Sequence, residues 1–393
     1  MSDDAVFIVA ARRTPIGAFQ GALSAVPATQ LGAAAAAAAI ADSGLKHADI
    51  QEVIFGCVLP AGLGQAPARQ AAISAGVPTG TPTTTVNKMC GSGLKAIMLA
   101  ADQLRTGDIE IALAGGLESM SNAPYLLMKA RSGYRMGPGE LLDHMFTDGL
   151  QSPWDGQLMG TFAEATSEKY GFTRADQDSF AAESVRRALR AVESGAFQRE
   201  VTPVKVKSRK GETLVERDET PFTCDLEKIP TLKPAFKKDG TVTAASSSSI
   251  SDGAAAAVLA RGSAVKSRGL KPLARIVAYT SHAQEPAWFT TAPVGAIRKL
   301  LEKTGWRANE VDLYEVNEAF ACVSMAAMKD IGIDHARINV NGGACALGHP
   351  IGATGARITT TLVHALKARG GKRGIASLCI GGGEATAIAV EVV

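Results

Sequence analysis

Short apolar, β-branched runs alternate with helical segments at both ends of this chain, and the two ends read alike. Val6–Ala10 and Val53–Val58 have the composition of strands, residues 30–43 and Ala68–Ala75 that of helices, with Pro67 opening the second and Gly76 closing it. Ile109–Ala114 is a further strand, followed by Gly115-Gly116-Leu117-Glu118. Near the C-terminus the same wording returns: strand Ile375–Ile380, then Gly381-Gly382-Gly383-Glu384. Strands that are apolar throughout, separated by helices, predict an α/β fold around a buried parallel or mixed sheet. The shared ending of the two parts is either chance or the mark of two copies of one α/β unit packed together.

Between the two parts the character changes. From about Ser119 to Ser251 the chain is rich in Pro, Gly and charge, as in Gly137-Pro138-Gly139 and Lys205–Glu219, yet it keeps helical stretches at Phe162–Tyr170 and Ala175–Ser194. It reads as an inserted domain rather than a linker. The expected division is residues 1–120 plus 249–272 for the first half, 121–248 for the insertion and 273–393 for the second half.

With 393 residues, 46% of them hydrophobic, the chain can bury a large core, and a net charge of +3 argues against a nucleic-acid or membrane-surface role. The Ala33–Ala39 run is too short to span a membrane and reads as part of a closely packed helix. Met1-Ser2-Asp3-Asp4 leads straight into an apolar strand without a charged leader, and Glu391-Val392-Val393 is no peroxisomal signal. The six cysteines form no CxxC pair and no zinc-ligand spacing, so the expectation is a cytoplasmic protein with reduced thiols and no bound metal.

Four segments carry residues suited to chemistry. Cys90, in Asn87-Lys88-Met89-Cys90-Gly91-Ser92-Gly93, precedes an apolar helix pattern. A helix N-terminus favours a thiolate and offers backbone N–H groups to an oxyanion, although a buried structural cysteine fits the same letters. His349 stands in Asn341–Gly355, where five glycines and a proline fall within fifteen residues. It is either a general base for a thiol or a turn-capping histidine, with Pro350 opening the next helix. Cys379 ends an apolar strand before three glycines, where α/β sheets bind ligands, but a core cysteine is the commoner occupant of such a place. Asn317, in Glu315-Val316-Asn317-Glu318-Ala319-Phe320, is positioned either to orient a water or a carbonyl or to cap a helix. Cys57, Cys224, Cys322 and Cys345 have no such setting, and His47 and His335 read as surface residues.

Taken together and in this order, the segments resemble the motifs of the thiolase family over essentially the whole chain. The opening Ala11-Arg12-Arg13-Thr14-Pro15-Ile16-Gly17, the cysteine motif at Cys90, Asn317-Glu318-Ala319-Phe320, Gly348-His349-Pro350-Ile351-Gly352 and Cys379-Ile380-Gly381-Gly382-Gly383 all take part. The resemblance implies two similar α/β halves in a five-layer αβαβα arrangement, a loop domain inserted in the first half, and a homo-oligomer, dimer or tetramer. It implies that Cys90 is acylated by an acyl-CoA with His349 accepting its proton. Cys379 then removes an α-proton from a second acetyl-CoA. Two oxyanion sites follow: His349 with a water held by Asn317, and the backbone N–H groups of Cys90 and Gly381. CoA thioesters and CoA are the substrates, and no cofactor is implied.

Gly348-His349-Pro350-Ile351-Gly352 and Glu285–Pro293 resemble the acetoacetyl-CoA-forming branch more than the degradative one, which remains the alternative. Trp288 and Phe289 are candidates to close an acyl pocket, or else ordinary core aromatics. By the same resemblance Ser248, Met159, Phe236, Ala319 and Phe320 face the substrate. Two departures stand out: Leu158-Met159-Gly160 where that branch has His-Met-Gly, and Ser246-Ser247-Ser248 where it has Asn-Ala-Ser. A ketoacyl-synthase-type condensing enzyme also uses a cysteine nucleophile, but it lacks the second cysteine before a glycine run. A non-catalytic CoA-binding relative would have no reason to keep both cysteines and His349.

Overall fold

The computed structural model describes residues 2–208 and 211–393. Nine of the ten strands of one continuous sheet follow a single path: β1 (Val6–Arg13), β2 (Glu52–Gly56), β3 (Thr83–Val86), β4 (Ile111–Ser119), β5 (Ser251–Arg261), β6 (Ala274–Ala283), β7 (Leu313–Val316), β8 (Arg373–Ile380) and β9 (Glu384–Val392), while the two-residue strand Gly17–Ala18 pairs beside it with the start of β5. Their spatial order is β7-β8-β9-β6-β1-β5-β4-β2-β3. β1 and β6 meet antiparallel at the centre, with Val6 opposite Ile276 and Ile8 opposite Ala274.

Read outward from that seam, the halves repeat. β1 pairs antiparallel with β5, β5 antiparallel with β4, and β4 parallel with β2. In the same sequence β6 pairs antiparallel with β9, β9 antiparallel with β8, and β8 parallel with β7. Even β3, parallel to β2, has a counterpart in the single parallel bridge from Tyr314 to Ile338. The repeat inferred from the letters is real, but its letters do not superpose. Gly115 and Gly116 lie inside β4, which runs on to Ser119, whereas Gly381–Gly383 form the turn between β8 and β9.

The helices complete five layers. α1 (Ala28–Ser43) and α2 (Pro67–Ser74) cover the outer face of the first half, packing on Phe7, Phe55, Leu113 and Val258. The alanine run predicted to pack closely does so within α1, which stops at Gly44 in a left-handed conformation. α3 (Ser92–Thr106) and α4 (Thr354–Arg369) lie between the two halves. Leu94, Ile97, Ile358 and Leu362 share one core with Leu259 of β5 and Leu378 of β8. α5 (Ala292–Thr304) and α6 (Ala321–Ile331) cover the outer face of the second half over Ile375, Ala387 and Val316.

Between β4 and β5 the chain leaves the sheet. This excursion carries two helices, Met159–Tyr170 and Arg174–Glu193, and is fastened to β1 through Arg13. The fully buried Arg13 guanidinium grips both oxygens of Asp218 at 2.7 and 2.9 Å and donates to Glu200 at 2.6 Å. A buried arginine is tolerable only with such complete pairing.

The two central helices touch at their first turns. A Cβ on Gly355 would sit 2.3 Å from the backbone nitrogen of Leu94, and one on Gly93 would sit 2.9 Å from the backbone nitrogen of Ala356. Backbone cannot yield as a side chain can, so Gly355→Ala is expected to destabilise the fold by about 1–3 kcal/mol. Urea denaturation measures this, and an unchanged midpoint refutes the contact.

Candidate active site

Cys90 stands in a tight turn before α3, with Gly91 at the N-cap. Asn87 Oδ1 accepts from the Met89 N–H at 2.9 Å, and Ser92 Oγ accepts from the Lys88 N–H at 2.8 Å while donating to the Met89 carbonyl at 2.6 Å. These bonds hold Met89 at φ 46°, a left-handed conformation that costs a residue with a Cβ about 1–3 kcal/mol. The strain sits next to the nucleophile. Nothing in the letters of Met89 announces it.

His349 is buried on the loop before α4. Its Nδ1 lies 2.7 Å from Thr354 Oγ1, and its Nε2 has no hydrogen-bond partner among the described residues. α4 starts at Thr354, so Pro350 belongs to the turn ahead of the helix and not to its first turn. The His349 N–H donates to the Ser249 carbonyl at 3.1 Å. The same loop is held to the first half by Glu118, a residue the sequence marked only as part of a repeat. Its carboxylate accepts from the Val58, Leu59 and Gly352 N–H groups at 2.9, 3.1 and 2.9 Å. Burial lifts its pKa to about 7 against the pull of those three donors.

Cys379 is the penultimate residue of β8, fully buried. Burial first and the neighbouring Cys90 second push its thiol well above the ordinary range. Gly382 and Gly383, at φ 94° and 89°, make the sharp turn into β9, which gives two of the three glycines a backbone reason. Asn317 is no helix cap, because α6 begins at Ala321 with Phe320 at its N-cap. Its neighbour Glu318 is fully engaged, accepting from Ser184 Oγ, Asn339 Nδ2 and the Cys345 N–H. Asn317, 1% exposed, has both amide atoms unpartnered among the described residues. A buried amide without protein partners calls for an explanation, and a role toward a bound water or substrate is one.

One cavity of about 210 Å³ brings these segments together. Cys90, His349 and Gly381 line it, as do all five residues expected to face substrate: Met159, Phe236, Ser248, Ala319 and Phe320. Cys379 and Asn317 lie outside its lining, deeper in the protein. The serine run is seated against the asparagine segment by the Ser248 N–H on the Ala319 carbonyl and the Ala321 N–H on the Ser246 carbonyl, at 2.9 and 2.8 Å. The aromatic pair divides: Phe289 lines the cavity, whereas Trp288 lies outside it with Lys169 Nζ 4.0 Å from its ring centre. Phe146, Gly149 and Leu150 form a wall the sequence did not reveal, because they belong to a single π-helical turn, Phe146–Leu150, with no readable period. A larger groove of about 690 Å³ between Arg187, Arg190 and Arg369 contains neither cysteine nor histidine.

The chain matches the family models for the thiolase N-terminal domain over residues 6–263 and the thiolase C-terminal domain over residues 270–392. The chain belongs to the thiolase family. It is 51% identical over 385 residues to an acetyl-CoA acetyltransferase of Pseudomonas aeruginosa, with 98% of each chain covered. It is 49% identical to acetyl-CoA acetyltransferase 2 of Arabidopsis thaliana, covering 98% of this chain and 97% of that one. A crystal structure of the Bacillus anthracis acetyl-CoA acetyltransferase superposes with a TM-score of 0.97 at 42% identity, with 99% of both chains covered. The five-layer thiolase fold and the acyltransferase class follow. Among the described residues no helix is long and apolar enough to cross a membrane.

The electrostatics of this thiolase site differ from the expectation of a thiolate at a helix N-terminus. Burial pushes the Cys90 thiol up to about 11, although the Gly381 and Cys90 N–H groups pull the other way. Burial, then the Arg357 cation, takes His349 down to about 3. The resting pair is therefore thiol and neutral imidazole, not an ion pair. Below pH 11 the thiolate fraction grows about tenfold per pH unit. Alkylation of substrate-free enzyme by iodoacetamide should climb accordingly from about pH 6 to about pH 9, and a plateau below about pH 8 would reveal an ion pair instead.

Proposed function

We propose that this thiolase is an acetyl-CoA C-acetyltransferase, condensing two acetyl-CoA reversibly to acetoacetyl-CoA and CoA through an acetyl group on Cys90. The observation that carries the reading is the convergence of Cys90, the unpartnered His349 Nε2 and Gly381 on one small apolar cavity. His349 takes the thiol proton as the sulfur attacks the thioester carbonyl, and the Cys379 thiol gives its proton to the CoA thiolate as that bond breaks. The Cys379 thiolate so formed removes an α-proton from the second acetyl-CoA, the resulting enolate attacks the acetyl group on Cys90, and the expelled Cys90 sulfur takes its proton back from His349. Cys379 is assigned as the second base on the resemblance of its Cys-Ile-Gly-Gly-Gly segment to the family motif and on its place beside Cys90, whose charge acts on its thiol most strongly after burial itself.

Two charges need stabilising. The N–H groups of Cys90 and Gly381, both of which bear on the Cys90 sulfur, serve the oxyanion on the acyl-enzyme. His349, still protonated at Nε2, and a water on Asn317 serve the enolate oxygen, which gives the unpartnered amide a task. Thiol acid–base and thioester chemistry supply every step, so the reaction calls for no metal or redox cofactor. It does call for two reduced cysteines, which suits the cytoplasm. An open edge at β3 and the exposed Met128, Met136 and Leu141 support assembly as a homodimer or homotetramer.

Chain length is argued from volume. The cavity is below the roughly 300–1,000 Å³ of sites that enclose drug-sized ligands, and Phe146, Leu150, Phe289 and Phe320 wall it. Acetoacetyl-CoA should be cleaved with a higher kcat/KM than a medium-chain 3-oxoacyl-CoA; the reverse order would favour the degradative alternative. Cys90→Ala should show no added acetyl by intact-protein mass spectrometry. Cys379→Ala should still take up one acetyl while condensation falls roughly 10³-fold. Full condensation by either variant would overturn its assigned role.

A further inference from the structure

Thr354, the first residue of α4, is completely buried, and its hydroxyl has two neighbours. Oγ1 lies 2.7 Å from His349 Nδ1 and 2.9 Å from the Pro350 carbonyl oxygen. A hydroxyl has one hydrogen to give, and a carbonyl oxygen can only accept. The contact with Pro350 therefore uses that hydrogen. Toward the imidazole Oγ1 can then only accept, so Nδ1 must carry the ring proton.

The opposite arrangement is unfavourable at both ends. With the hydroxyl hydrogen turned toward Nδ1, two oxygen atoms 2.9 Å apart would face each other lone pair to lone pair. The ring proton would then sit on Nε2, which is buried and without a partner. A buried N–H with no acceptor is the rarer and costlier defect, whereas a bare ring nitrogen facing the cavity waits for a donor. The turn fixes the geometry further, since the Ala353 and Thr354 N–H groups also donate to the Pro350 carbonyl, at 2.9 and 3.0 Å.

We propose that Thr354 is a positioning residue that holds neutral His349 in its Nδ1-protonated tautomer, leaving Nε2 bare toward Cys90. The inference deepens the reading of His349 as the base for Cys90 and rests on it for its consequence, not for its geometry. In the acylation step the S–H bond breaks, an N–H bond forms at Nε2, and the sulfur electron pair attacks the thioester carbon. The same proton returns from Nε2 to the Cys90 sulfur when the enolate displaces it, the departing CoA thiolate being protonated by Cys379. Thr354 makes and breaks no bond; as the ring becomes cationic, its oxygen accepts a stronger, charge-assisted hydrogen bond.

The test is a long-range proton–nitrogen spectrum of the full-length protein labelled in its six histidines, with His349 identified by its loss in His349→Gln. Wild type is expected to show a protonated Nδ1 and an imine-type Nε2. In Thr354→Val the two tautomers should mix, and single-turnover acetylation of Cys90 by acetyl-CoA should slow by about tenfold or more, part of what a well-placed base supplies. Thr354→Ser should restore both tautomer and rate, which a loss of packing alone would not do. A protonated Nε2 in resting wild type overturns the proposal without any variant having to fold. So does wild-type acetylation in Thr354→Val. If wild type shows the predicted tautomer yet is not acetylated, the tautomer assignment stands and the reaction assigned to the site fails.

Discussion

The site depends on the contact between the first turns of α3 and α4. Each central helix is preceded by one reactive residue, Cys90 two positions before α3 and His349 five before α4. Because Gly93 and Gly355 let the backbones meet there, the two loops that come from opposite halves of the chain open into one cavity. Any side chain at the crossing would separate the helices at the end where separation matters. The sheet seam at β1 and β6 sets which way the halves face, but the glycine contact sets how far apart their reactive groups lie.

Burial is the second constraint, and it changes the chemistry that the helix termini alone would suggest. A helix N-terminus contributes at most about 2 kcal/mol in favour of an anion, and removing a thiolate from water outweighs that here. Burial favours the neutral form of both groups, the Cys90 thiol and the His349 imidazole. A neutral resting thiol is also a poor target for water-borne electrophiles. The same logic gives Thr354 its importance: a neutral imidazole has two tautomers, only one of which is a base at Nε2, whereas an imidazolium would have no such choice to make.

How much of this was legible in the sequence varies by residue and for physical reasons. The α/β class and the two-part plan were readable because strands buried on both faces are apolar throughout. The apparent textual repeat was misleading in detail, since Glu118 ends inside β4 and gathers three N–H groups, while Glu384 opens β9 and pairs with Lys88. Strand order carries the repeat; the letters around the glycines do not. Cys90, His349, Cys379 and Asn317 were marked by their polar or reactive character amid apolar and glycine-rich surroundings. The strain at Met89, the π-helical wall at Phe146–Leu150 and the anchor at Glu118 were not, because each arises from contacts between segments far apart in sequence.

Asn317 and Glu318 illustrate the difference between a residue type and its role. Adjacent in sequence and both nearly inaccessible, they read alike as a polar pair after a strand. In the fold Glu318 spends its carboxylate on Ser184, Asn339 and Cys345, tying the insertion and the glycine loop to the second half. Asn317 spends nothing. A buried carboxylate must be satisfied from the protein or be neutralised, so Glu318 becomes structure. An amide can wait for a water or a substrate oxygen at smaller cost, so Asn317 stays available to the reaction.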